Sequence, residues 1–369
     1  MKNRIGTKTL LLVCSSLLSF YFSFAQKVER EKSLIIGEIT GSTVRDDSIY
    51  FIPANISDKY YQTPQLAAQI LDNKFTLKNT FNYPQLYRIV FKSDKNIRAW
   101  RGGKYFLDAS TKSIIIDLSS EECNTIDGIT FKEYRSSYHQ FFCKNQLINC
   151  KTDSLSEMVL NENNLYDQLL FDYTVLHPAS YVSLWSLIER VALYGHSKIR
   201  ERTLNLFSNS IKRQMLWIAI NDEVKQAKIK EGGKFPLIQL KSVNLTASKL
   251  KLPKAKFILI NYWFSRCRPC LDEIPSLKKI YSNFKAKGFE IVGLSTDKIK
   301  DVPIWQRRVK EYELSWYQYI DENGHEANQL NVKSFPTTFL LDSTGTIIRK
   351  NMSMKELDIF LTQNLNLNN

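Results

Sequence analysis

Short runs in which apolar and polar residues partly alternate fill the first third of the chain. "SLIIGEITG", "SIYFIP", "KFTLKN", "QLYRIVF", "KYFLDA" and "SIIIDL", all within 32–119, are rich in Ile, Phe, Tyr and Val. Turn signals separate them, among them Leu71-Asp72-Asn73-Lys74, Arg101-Gly102-Gly103 and Ala109-Ser110-Thr111. Several short strands at this spacing predict a small antiparallel β-sandwich over 28–120. From 128 to 230 the apolar period lengthens to that of helices and glycine almost disappears. "KEYRSSYHQFF", "LSEMVLNENNLYDQLLFDYTVL", "SYVSLWSLIERVAL" and "RERTLNLFSNSIKRQMLWIAINDEVKQAKI" predict a segment of four or five packed helices. His177-Pro178-Ala179 breaks the run, and Ser180 is placed to cap the helix that follows.

Glu231-Gly232-Gly233 and Phe235-Pro236 read as a linker. Beyond it, over 235–369, strands and helices alternate. "KFILINYWF" (256–264) is a near-continuous apolar run, as expected of a strand buried on both faces. "LDEIPSLKKIYSNFKAKG" (271–288) is an amphipathic helix closed by Gly288. A strand at 289–296, a helix at 304–314 and a strand at 315–320 follow. Two strands then flank Ser343-Thr344-Gly345, and a last helix covers 355–365. This alternation predicts an α/β unit with right-handed crossovers around a mostly parallel sheet.

The first residues change the setting. Lys2, Arg4 and Lys8 precede an apolar stretch from Leu10 to Phe24, with small Ser23 and Ala25 before Gln26. That is the layout of a cleaved signal peptide over 1–25. The stretch is short for a membrane span, and Val13 before Cys14 fits a lipid attachment site poorly. Export to the periplasm is therefore expected in preference to lipid anchoring. Cleavage removes three basic and no acidic residues, lowering the net charge from +14 to +11. The remaining lysines are scattered among acids, with no basic run interleaved with aromatics, so the charge marks a solvated surface and no nucleic-acid partner is expected.

Five of the six cysteines would remain: Cys123, Cys143, Cys150, Cys267 and Cys270. An exported chain meets oxidising conditions, and an odd number leaves at least one thiol unpaired or only transiently paired. Cys143 and Cys150 are candidates for a local bridge, which one continuous helix would forbid by distance. His139, His177 and His196 stand alone without metal-ligand spacing and are read as structural.

"NYWFSRCRPCLDEIP" (261–275) holds the chemistry. A structural zinc site needs a second ligand pair, and downstream there is only His325, so no metal is expected. Cys267 falls where the apolar strand becomes a helix. There the orphan N–H groups and the positive end of the helix dipole favour a thiolate. Arg266 and Arg268 push the same way, and Pro269 suits an early helical position. Cys270, one turn on, is in reach to resolve a mixed disulfide formed at Cys267.

With these residues in place, 235–366 resembles a thioredoxin, specifically the exported TlpA/ResA branch. Asn261-Tyr262-Trp263-Phe264, Cys267-Arg268-Pro269-Cys270 and Glu273-Ile274-Pro275 stand for that branch's aromatic strand end, C-x-P-C motif and E-x-P step. "KSFPTTFLLDSTG" supplies the family's cis-proline loop at Pro336, between Phe335 and Thr337. The resemblance implies a thioredoxin-like fold, thiol–disulfide exchange without a cofactor, and client docking beside Pro336 as an added strand. Trp263, Arg266, Arg268, Pro269, Phe335, Pro336 and Thr337 are the implied client-contacting residues. Two departures stand out. Arg266 replaces the usual tryptophan before the first cysteine, which favours acidic clients. Asn261 replaces the buried aspartate of cytoplasmic thioredoxins, leaving Glu273 as the proton-handling candidate by resemblance; the alternative is a first-turn acid that merely favours the dipole. The β-rich start likewise resembles a domain of unknown function found before thioredoxin modules in exported bacterial proteins.

The expected activity is disulfide exchange with client proteins, reductive or isomerase-like. Electrons would come from a membrane-bound or periplasmic thiol donor, and the N-terminal region would select clients or pair a homodimer. Two rivals remain: a peroxiredoxin-like peroxide reductase, whose signature proline is missing from Phe264-Ser265-Arg266, and a non-enzymatic scaffold that would need neither cysteine.

Overall fold

A computed structural model of the protein describes residues 33–42, 46–53, 56–91, 101–119, 124–145 and 163–365. Eight strands form two four-stranded sheets. β1 (Ser33–Thr40), β4 (Lys74–Asn79), β7 (Ser113–Asp117) and β8 (Thr125–Ile126) are ordered β4-β1-β7-β8. β2 (Ser48–Ile52), β3 (Leu66–Gln69), β5 (Gln85–Phe91) and β6 (Arg101–Leu107) are ordered β3-β2-β5-β6. The alternation seen in sequence is the burial pattern: in β4, Phe75 and Leu77 are buried while Lys74, Thr76 and Lys78 face water.

Two details correct the expectation. β1 and β7 run parallel, with Ile36 opposite Ser113 and Ile39 opposite Ile116, so the pairing is not wholly antiparallel. Parallel neighbours need a long crossover, and the whole of the other sheet supplies it. Arg101-Gly102-Gly103 is no turn but the start of β6. Gly103 sits at φ +82°, and the β5–β6 register shifts between Tyr87 and Ile89, an irregularity of the bulge kind that glycine permits.

Three contiguous pieces, Ile129–Glu133, a π-helical Tyr134–Tyr138 and His139–Lys144, form one helix, α1. α2 (Asn163–Leu176), α3 (Tyr181–Tyr194), α4 (Lys198–Leu206), α5 (Asn209–Lys212) and α6 (Met215–Gln226) follow. The described residues thus hold six helices against the four or five expected, because extended backbone at Ser208 and Gln214 divides the last run. Ser180 caps α3 as expected, its hydroxyl accepting from the Ser183 N–H at 2.9 Å. Cys123 and Cys150 lie outside the described residues.

The helices pack on the sheets through one apolar cluster that runs from Ile35 to Val224. Trp185 of α3 is fully buried, lies 5.0 Å from the Tyr61 ring and donates its indole N–H to the Pro84 carbonyl at 2.8 Å. Among the helices, Asp167 is buried between two guanidinium groups, Arg190 at 2.8 Å and Arg200 at 2.6 Å. These hold its carboxyl below the usual range against the opposing effect of burial.

The remaining strands form one seven-stranded sheet. They are β9 (Gln239–Ser242), β10 (Ala247–Lys249), β11 (Phe257–Trp263), β12 (Phe289–Ser295), β13 (Tyr317–Ile320), β14 (Thr337–Asp342) and β15 (Ile347–Lys350), in the order β10-β9-β13-β12-β11-β14-β15. Only β11–β12 and β12–β13 are parallel; the other four pairings are antiparallel. The sheet is therefore mixed, not mostly parallel. α7 (Arg268–Phe284), α8 (Val302–Glu311) and α10 (Met354–Leu365) join it, with α9 (His325–Gln329) before β14, and separate apolar clusters line its two faces. The glycines read as a linker are tied down: Gly232 N–H donates to the Ile347 carbonyl, and Ile347 N–H to that of Gly233, both at 2.8 Å.

Removing Asp167 leaves two buried cations without their shared partner. Asp167→Ala is expected to cost about 3–5 kcal/mol of stability, read as an earlier urea midpoint. A loss below about 1 kcal/mol would show that the two arginines are held by something else.

Candidate active site

The chain leaves β11 at Trp263 and enters α7 at Arg268. Cys267 is the N-cap of α7, just ahead of the first turn, and its sulfur accepts from the Cys270 N–H at 3.3 Å. Pro269 sits in the first turn, where its missing N–H costs nothing. Cys267 and Cys270 are joined as a disulfide, with Cα atoms 5.2 Å apart, and each is 4% exposed.

A residue not singled out in the sequence organises this passage. Asp297, 4% exposed and just beyond β12, accepts from the Ser265 N–H at 2.9 Å and the Ser265 hydroxyl at 2.6 Å. The Ser295 hydroxyl donates to it at 2.6 Å. Ser265 lies two residues before Cys267, so the carboxylate fixes the loop that presents the sulfur. A signal for it existed: Trp263 pairs with Ser295, so Asp297 follows the carboxyl end of the neighbouring parallel strand, where α/β sheets gather functional groups.

The arginines differ from expectation. Arg266 reaches the partly buried Asp301 at 3.4 Å, and Arg268 reaches Asp272 at 3.0 Å in open solvent. Each positive charge is matched by a carboxylate, so its pull on Cys267 is weaker than the bare sequence implies.

The Phe335–Pro336 peptide bond is cis. Because Thr337 opens β14 opposite Tyr262, the loop lies at the sheet end from which the cysteine segment departs. Phe335 and Phe264 are half-buried, meet edge to face at 5.5 Å and rest on the cluster containing both cysteines. Thr337 is 2% exposed and donates its hydroxyl to the Ser334 carbonyl at 2.7 Å, so its side chain is turned into the loop. Trp263 needs correction as a contact residue. It is 3% exposed and packs in the cluster beneath the sulfurs, because strand alternation turns it inward.

Glu273, in the second turn of α7, is half-buried, and burial alone pushes its carboxyl up to about 7. The residue lies beyond the first turn of α7, which holds no acid, and not within it as the dipole alternative supposed. Asn261 is buried, and its side-chain oxygen has no hydrogen-bond partner. Among the described residues, no group of three or more His, Cys, Asp or Glu is arranged to hold a metal.

A helix-capping cysteine pair beside a cis-proline loop defines a thioredoxin-like site, and comparison with known proteins agrees. Residues 232–350 match the AhpC/TSA family. The chain is 31% identical over 126 residues to thiol-disulfide oxidoreductase ResA of Bacillus thuringiensis subsp. konkukian, covering 34% of this chain and 72% of that protein. It is 32% identical over 123 residues to thioredoxin-like protein YneN of Bacillus subtilis, covering 33% and 72%. The thioredoxin domain of a thiol-disulfide oxidoreductase from Bacteroides vulgatus aligns with a TM-score of 0.34 at 28% identity, over 37% of this chain and 99% of that domain. The chain belongs to the thioredoxin-like AhpC/TSA family, alongside these ResA-type relatives.

The Glu273 carboxyl binds its proton more tightly in the fold than at its ordinary value of 4.5. The resulting stabilisation is complete below about 4.5 and is lost as pH rises through about 7. Glu273→Gln is expected to raise the urea midpoint relative to the parent at pH 8 but not at pH 4. The same difference at both pH values would overturn the assignment.

Proposed function

We propose that the protein is an exported thiol–disulfide oxidoreductase acting on client proteins through Cys267 and Cys270. The observation that carries this is the pair itself: two sulfurs in bonding contact across the first turn of α7, with the first at the N-cap. The unpaired N–H groups of that turn and the helix dipole favour Cys267 as a thiolate once the pair is reduced.

In the reductive direction, the Cys267 thiolate attacks a client disulfide. A sulfur–sulfur bond forms to the client, and one client sulfur leaves as a thiolate. The Cys270 thiolate then attacks Cys267, closing the intramolecular disulfide and releasing the second client sulfur. Two electrons pass to the client, and a dithiol donor restores the pair by the reverse exchange. Glu273 takes the proton from Cys270 and returns it, and its carboxyl at about 7 suits that work near neutral pH. The client lies along the Phe335–Pro336–Thr337 backbone as an added strand. Relatives named thiol-disulfide oxidoreductase support this chemistry. A reductive or isomerase-like role, and a signal peptide cut after Ala25, complete the proposal. The leader itself lies outside the described residues. No helix among the described residues is long and apolar enough to cross a membrane.

Insulin reduction with dithiothreitol tests the core of it. The parent should accelerate turbidity, and Cys267→Ser should fall to the uncatalysed rate. Reduced Cys270→Ser, freed of dithiothreitol before insulin is added, should accumulate mixed disulfides, visible on non-reducing gels and dissolved by reductant. A Cys267→Ser variant as fast as the parent would sink the mechanism. For the parent, a pH profile of the resolving step should show an inflection near 7 that Glu273→Gln removes.

A further inference from the structure

The last turn of α3 meets the cis-proline loop. Carbonyl groups at a helix C-terminus have no partner within the helix, and donors from elsewhere take three in a row here. The Ser334 hydroxyl donates to the Leu193 carbonyl at 2.8 Å. The Arg200 guanidinium donates to the Tyr194 carbonyl at 3.3 Å and to that of Gly195 at 2.9 Å. Ser334 stands two residues before Pro336, and its own carbonyl receives the Thr337 hydroxyl. It is thus bonded to α3 on one side and across the cis bond on the other.

A second contact lies nearby. Gly195 ends α3 at φ +68°, where a β-carbon would come within 2.7 Å of the Lys350 Nζ. The next residue, Asn351, accepts the Thr338 N–H on its side chain and donates its own N–H to the Thr338 carbonyl, both at 2.9 Å. The end of α3 therefore meets Ser334 ahead of the cis-proline and Lys350 of β15, whose neighbour Asn351 is bonded to β14. Behind it, Asp167 holds Arg200 at 2.6 Å, and Arg190 stacks 4.1 Å over the Tyr194 ring.

We infer that the client cleft is composite, with Phe264 and Phe335 from the thioredoxin-like unit and Leu193 from α3 forming its apolar wall. Its occupant is an extended client segment carrying an apolar side chain next to the disulfide cysteine. This rests on the exchange chemistry proposed above. A single exposed leucine is ordinary. Leu193 differs because its carbonyl is pinned to the docking loop while its side chain remains 38% exposed. Strand-like docking on the cis-proline backbone gives affinity without choice, since backbone atoms are the same in every client. Side chains beside that backbone supply the choice: Phe264, Phe335 and Leu193 are apolar, while the nearby charges of Arg266 and Arg268 are each paired with a carboxylate.

The test uses the full-length protein and two glutathionylated peptides, one with Leu and one with Ser beside the cysteine. The parent should prefer the Leu peptide by about tenfold in kcat/KM, expressed in KM, as burial of one leucine side chain allows. Leu193→Glu, at an exposed position, should bring the ratio close to one with an unchanged urea midpoint. Ser334→Ala should lower the ratio and Ser334→Thr, which keeps the hydroxyl, should restore it. An equal rate on both peptides in the parent, or a preference that survives Leu193→Glu, overturns the composite cleft. Release of glutathione from neither peptide by the parent would instead remove the exchange chemistry on which the cleft depends.

Discussion

Within four residues, Phe264 to Cys267, the chain passes from a strand covered on both faces to the cap of a helix. One buried carboxylate holds that passage. Asp297 takes both donors of Ser265 and the hydroxyl of Ser295, which ties the end of β12 to the exit of β11. A buried charge of this kind survives only when its lone pairs are occupied. With the loop so held, Cys267 can cap α7, Cys270 lies one turn behind, and Pro269 fits between them. Glu273, Trp263 and the cis-proline loop then take their positions around a fixed pair of sulfurs.

Much of this was legible in the residues. The long apolar run at 256–264 became β11, the Cys-Arg-Pro-Cys motif fell at its exit, and Phe335–Pro336 is cis as the resemblance implied. These features are local, since strand, cap and turn preferences act over a few neighbours. Strand pairing across the chain was less visible. The parallel β1–β7 contact joins residues about 80 positions apart, and nothing in either strand alone encodes its partner's direction. β3, β8, β9 and β10 are two to four residues long, too short to show a period. The partner of Arg266 was hidden for the same reason, as Asp301 meets it only after the fold is made, whereas Arg268 and Asp272 are an i,i+4 pair that helical spacing alone could have shown.

The N-terminal region is more than a neighbour of the exchange site. Its helices and sheets share one core anchored by Trp185. Its ion cluster around Asp167 orders the end of α3, and that end is hydrogen-bonded to the loop before Pro336. Packing in one region thereby sets the geometry of a loop in the other through three named contacts: the carboxylate–guanidinium pair, the guanidinium–carbonyl bonds and the Ser334 hydroxyl.

The glycine segment at 232–233 has a different consequence. β15 is the last strand of its sheet, and the backbone from Gly232 to Phe235 lies along its open side, bonding at Ile347 and Gly345. A fragment cut to begin at Phe235 would strip away most of that cover and leave the N–H and carbonyl of Ile347 bare on an edge strand, the kind of border that recruits strands from other molecules. Excising the C-terminal region at the apparent joint would thus invite self-association, whereas a cut placed before Ile229 keeps the border closed.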